Sequence, residues 1–220
     1  MAIRDEKRSS DVILGDALYH RVALLSDPDA AHIAALVEPL ENKLREMQQQ
    51  REQREREEII AKAKRDMAAL QADAELRMTE LEVLGAVKKQ RGQPAYKACF
   101  PNGLVWLVGL RGKRQHEETK LLVAALVREH PAIAKKRKQA LLDKSSAALA
   151  AEKGHRDAEL AVVVATRDEQ LVRSELVLQL RRNEGALLSL FASHVRARSF
   201  FRKVERQKST PQPADPVDEP

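Results

Sequence analysis

The chain has 220 residues, of which 33% are charged and only 3% aromatic, and its formal net charge is +6. So few large rings, with so many Ala, Leu, Glu, Lys, Arg and Gln, argue against a thick globular core and for long helices that bury a narrow stripe. A single cysteine excludes an internal disulfide and fits a reducing compartment. A cytoplasmic location is the expectation, because charges from Arg4 onward leave no signal-peptide core. The longest apolar run, Leu104 to Leu110, is too short to span a bilayer as a helix.

Residues 1–27 are read as an N-terminal helix, with Val12, Leu18, Val22 and Leu25 at helical spacing. Asp27-Pro28 ends it and opens a stalk helix over 28–91, Asp27 serving as N-cap and Pro28 as the first helical residue. Pro39 should kink that helix, since an interior proline removes a backbone hydrogen bond. Ile60, Ala63, Met67, Leu70, Ala74, Leu81 and Leu84 follow steps of threes and fours, with Arg77 interrupting, which is a coiled-coil seam. The preceding Gln48 to Glu58 has no apolar residue and reads as a solvated helix surface.

Residues 92–131 are expected to form a small ββα head. Gly92-Gln93-Pro94 stops the helix. Ala95 to Phe100 and Leu104 to Leu110 then read as a β-hairpin about Pro101-Asn102-Gly103, followed by a helix from about Gln115. The second strand is apolar on both faces, so its far side should pack on Val83, Leu84 and Val87 or pair with another chain. A return helix over 132–206 carries the stripe Val162, Ala165, Val172, Leu176, Leu180, Leu187 and Leu190. The Pro-rich acidic end, 207–220, reads as a disordered tail.

Two long helices of similar length on either side of a 40-residue insert give the expected fold class. It is mainly α: a long antiparallel helical hairpin, or coiled-coil stalk, with the ββα head at its turn and the N-terminal helix at its base. The competing reading is a compact bundle folded at Pro39, Pro131, Gly154 and Gly185.

No catalytic pattern emerges. The six histidines are scattered, His116-Glu117-Glu118 lacks the second histidine of a zinc motif, and Gly109 to Arg114 has the wrong spacing for a phosphate loop. Cys99 reads as a small buried hydrophobe. A non-enzymatic protein without cofactor or metal is expected.

Charge is more informative. Between Val83 and His116 there is no Asp or Glu, while Lys88, Lys89, Arg91, Lys97, Arg111, Lys113 and Arg114 all fall there. These residues, with Phe100 and Trp106 as apolar anchors, are the candidate partner-binding set. The expected role is a scaffold, adaptor or stalk that presents a basic head to a protein partner, with self-association through the hairpin. Nucleic acid or another polyanion is the alternative, cations meeting phosphate and the rings of Tyr96, Phe100 and Trp106 offering stacking. A second basic patch joins Arg196, Arg198, Arg202, Lys203, Arg206 and Lys208 to Phe200 and Phe201, and cations at a helix C-terminus already suit the macrodipole.

In outline, a long helical hairpin with a β-hairpin at its turn resembles the central-stalk D subunits of rotary ATPases. The segment GLVWLV (103–108) after a long helix resembles the Gam proteins that shield DNA ends, although the long helix after the insert departs from Gam. Neither resemblance assigns a functional residue.

Overall fold

The computed structural model describes residues 9–202; about 86% of them are helical and none is in a strand. In chain order the helices are α1 (Ser10–Leu25), α2 (Ala31–Ala34), α3 (Glu38–Ala86), α4 (Pro94–Cys99), α5 (Gly103–Gly109), α6 (Gly112–Glu129), α7 (Pro131–Phe191) and α8 (His194–Ser199). Contacts divide the chain into two units: one up to Gln49 and from Asp168 onward, the other from Gln50 to Arg167. No helix among the described residues is long and apolar enough to cross a membrane.

In the first unit α1 buries Ile13, Leu14, Ala17 and Leu24 against Val172, Leu176, Val177, Leu180 and Leu187 of α7. The expected α1 stripe is the exposed one, with Val12, Leu18, Val22 and Leu25 all 38–56% exposed. After α1 the chain does not enter a long helix at Pro28. The Asp27 carboxylate instead accepts the Asp29 N–H (3.1 Å), α2 makes one short turn, and α3 begins at Glu38. Pro39 therefore sits in the first turn of α3, where its missing N–H costs nothing, and causes no interior kink.

His20 ties this unit to its C-terminal end. Its Nδ1 donates to the Phe200 carbonyl (3.0 Å), its Nε2 accepts from the Asn183 amide (3.1 Å), and its ring stacks on Phe201 at 4.2 Å. Phe200 and Phe201 are core residues, not companions of an exposed basic patch. Nor does the return helix run unbroken to 206: α7 ends at Phe191, Ala192 turns to φ +51°, and Ser193 caps α8 by accepting the Arg196 N–H. Lys203, Arg206, Lys208 and the tail 207–220 lie outside the described residues.

In the second unit α3 and α7 run antiparallel, with Glu82 bonded to Arg137, Lys144 to Gln71, and Glu58 to His155. α7 passes Gly154 unbroken, and in the first unit it passes Gly185 likewise, so neither glycine is a fold point. The seam between them is not the expected one. Ala72, Leu76, Thr79 and Val83 are buried, whereas Ile60, Met67, Leu70 and Leu81 are 54–62% exposed.

The ββα head is absent; 92–131 holds the short helices α4 and α5, then α6, joined by brief turns, and no strand. Gln93 is extended and Pro94 starts α4, the favoured place for proline. A type I′ hairpin turn needs positive φ at both central residues, but Asn102 has φ −101° and only Gly103 is positive, at +79°. Asn-Gly here links two helices. The apolar run 104–110 then places Leu107 inside, Leu104 and Val108 half-buried, and Val105 outward at 84% exposure. A short apolar run of this kind has no period that separates a strand from a helix. Of the expected coverings, the packing on Val83, Leu84 and Val87 is present, in helical form.

A basic helical cap as the candidate functional site

The cap consists of the end of α3 with α4, α5 and α6. Its core joins Val83 and Val87 to Tyr96, Cys99, Phe100, Leu107, Leu122 and Leu126. α3 ends in a left-handed turn at two lysines in succession, Lys88 at φ +51° and Lys89 at +63°. The Lys89 N–H closes the helix on the Leu84 carbonyl (2.7 Å). Glycine normally takes this position because a side chain there crowds the backbone. The N–H groups of Lys88, Lys89 and Gln90 are all bonded to carbonyls, so the turn is no anion nest.

A segment without acids in sequence acquires them in space. Glu80 accepts from Arg91 (3.2 Å) and from the Tyr96 hydroxyl (2.6 Å), and burial together with that carboxylate pushes the phenol up to about 12. Arg111 donates to the carbonyls of Val108 and Leu110 and lies 3.4 Å from the Asp73 carboxylate. Lys113 pairs with Glu117 at 3.7 Å. Lys88, Lys89, Lys97 and Arg114 are exposed and have no ion pair among the described residues. The Arg114 guanidinium stands 5.9 Å from the centre of the half-buried Trp106 ring.

The nine candidates thus divide. Phe100 is 3% exposed and belongs to the core, so it is no surface anchor. Arg91, Arg111 and Lys113 answer carboxylates of their own chain. Lys88, Lys89, Lys97, Arg114 and Trp106 remain available on the surface. Tyr96, at 4% exposure, offers no stacking face either. Glu80 and Asp73 were not legible as part of the site, because a helix brings them in from 11 and 38 positions before Arg91 and Arg111.

Three other arrangements invite a chemical reading. Burial pushes the Cys99 thiol up to about 11, with the Glu129 charge adding to it, the opposite of an activated nucleophile. His116 Nδ1 and Ser145 Oγ are 2.9 Å apart, but the Ser145 hydroxyl donates to the Leu142 carbonyl (3.1 Å), which makes the imidazole the donor and not a base. Burial, and then Lys120, lower the His116 pKa.

Glu58, His155 and Glu159 bring three potential ligand atoms within 4.8 Å of one another. Arg65 Nη1, an obligate donor, is 3.0 Å from His155 Nδ1, so that nitrogen accepts and Nε2 carries the proton to Glu58 (2.9 Å). A metal-ligating histidine ordinarily donates from its second nitrogen, and here an arginine occupies that side. The cluster is a cross-link between α3 and α7.

Protein-family models, curated proteins and solved structures were each compared with the chain, and none of the three comparisons produced a match.

Proposed function

We propose that the chain is a non-enzymatic helical scaffold or adaptor that presents its basic cap to an acidic macromolecular partner. The observation that supports this most directly is the set Lys88, Lys89, Lys97 and Arg114, exposed and without an ion pair among the described residues. Lysines that merely solubilise a surface are ordinarily interspersed with acids; Arg91, Arg111 and Lys113 show that pattern and these four do not. Two of them are held at a strained backbone, as positions selected for more than local stability are.

A single-stranded nucleic acid is the second reading, favoured by the Trp106 ring beside Arg114, a stacking face next to a cation. With Tyr96 and Phe100 buried, that reading rests on one ring and the charges.

Both are tested by titrating fluorescein-labelled poly-glutamate and an oligothymidylate into the full chain. The comparison is with a variant carrying Lys88→Gln, Lys89→Gln, Lys97→Gln and Arg114→Gln. Loss of binding in the variant is expected, with a salt dependence whose slope falls by about one for each phosphate contact removed. Equal binding by variant and wild type at every salt concentration removes the cap from the site.

A further inference from the structure

We propose that residues 59–81 of α3 are a dimerisation seam, and that its occupant is α3 of a second copy of this chain laid antiparallel. Ile60, Ala63, Met67, Leu70, Ala74 and Leu81 keep the alternating steps of three and four that a coiled-coil partner fills. Ile60 borders a groove lined also by Ala150, Ala151 and Gly154 of α7, while Ile60, Met67, Leu70 and Leu81 are each more than half exposed. α3 contacts α7 through its other side, where Glu58, Ala72, Leu76 and Val83 lie about half a turn away around the helix. α3 therefore has two seams, and the more apolar one faces solvent.

The area is that of an interface. Ile59, Ile60, Met67, Leu70, Met78 and Leu81 are 47–63% exposed. On side chains of that size this leaves roughly 600–700 Å2 per protomer, close to the ~800 Å2 each partner buries in a specific complex. An apolar stripe this regular is larger than the scattered exposed residues of an ordinary surface.

Residue size and charge select a second copy, and its direction. With Leu70 set opposite Ala74 in an antiparallel pair, Leu81 also falls opposite Ala63, so a large residue meets a small one at both of these layers. Arg77 then lies opposite Met67 and beside Asp66 of the second copy, its stem on an apolar side chain and its charge by a carboxylate. Asp66 is half-exposed and, among the described residues, bonded by its sequence neighbour Arg65 (2.7 Å), which leaves room for a further cation. A parallel pair in register would instead stack Arg77 on Arg77 in the centre of the seam.

Sedimentation velocity on the full chain, from about 1 to about 100 μM, tests the pairing. The wild type is expected to sediment as a dimer. Met67→Glu with Leu70→Glu should weaken it at least a hundredfold while far-ultraviolet circular dichroism stays helical, since both side chains are on the surface. Leu160→Glu with Val163→Glu, exposed on α7, should leave the dimer intact. A wild type that is monomeric throughout, or a Met67→Glu/Leu70→Glu chain that dimerises as tightly, overturns the proposal. Direction is read by mixing Ala63→Cys and Leu81→Cys chains under mild oxidation. Disulfides in the mixture support the antiparallel pair, and disulfides formed by each variant alone overturn it.

Discussion

Glu82 is where the pairing of α3 with α7 is most open to measurement. Its carboxylate accepts from Arg137 at 2.5 and 3.1 Å and from Lys136 at 2.5 Å, and those bonds, Arg137 first, hold its pKa at about 2 against an ordinary 4.5. A carboxyl depressed that far corresponds to roughly 3 kcal/mol of preference for the folded, ionised state. Glu82 is 24% exposed, and solvent screening reduces the figure to about 1–2 kcal/mol. The folded pKa lies below the unfolded one, so this stability is present above about pH 4.5 and is lost as pH falls towards about 2. Glu82→Gln keeps the shape and removes the charge, and Arg137 retains Glu75 (3.1 Å), so no buried cation is orphaned. Urea denaturation of both chains, followed by circular dichroism from about pH 7 to about pH 2.5, should show a gap of about 1–2 kcal/mol that closes across that window. A gap that is independent of pH, or absent at neutral pH, refutes the reasoning.

Lys89→Gly should raise the urea midpoint, by an amount equivalent to about 0.5–1 kcal/mol, because glycine accepts φ +63° without crowding; Lys97→Gly, inside helix α4, should lower it by a similar amount. A native Cys99, 3% exposed with its thiol raised to about 11, should react with a disulfide reagent at least ~100-fold more slowly than in the urea-unfolded chain. Equal rates would place the thiol outside the core.

The long helices announced themselves in the sequence, whereas α4 and α5 were read as strands, and the faces the long helices turn inward were not legible. α1, α6 and the start of α7 lie close to where spacing put them, and the Leu176–Phe191 region does form the core with α1. In α1 the stripe read from spacing, Val12, Leu18, Val22 and Leu25, faces solvent, and the structure instead buries Ile13, Leu14, Ala17 and Leu24, with the polar His20 among them. The choice depended on partners for His20 found 163 and 180 residues away, which no local pattern reports. The 104–110 run misled for a different reason. Val, Trp and Asn-Gly carry strand and turn signals, but a helix packed on one side accepts the same residues when one valine is left in water. Of the basic set, the cations were readable from sequence, whereas their neutralisation by Asp73, Glu80 and Glu117 was a fact of tertiary structure for the first two.

The composition of the two seams of α3 carries the last step. Against α7, the helix offers Glu58, Arg65, Ala72, Glu75 and Glu82 among a few buried apolar residues, and the cross-links are ion pairs and hydrogen bonds with His155, Arg137 and Lys136. These part-buried pairs depend on specific opposite partners, so they fix register as well as contributing to stability. Ion pairs need specific opposite partners, and a slip by one turn would set Glu82 away from both Arg137 and Lys136. The outward stripe has the reverse character: apolar, regular and indifferent to small changes of partner angle. A helix that specifies its own chain by charge and leaves its hydrophobic seam outside has divided two tasks between its faces. On the pairing proposed above, the face toward α7 serves folding and the outward apolar stripe serves assembly of two copies. On that division, substitutions at Glu58 or Glu82 act on the stability of the single chain, substitutions at Met67 or Leu70 act on the concentration at which chains pair, and the two sets are separable by experiment.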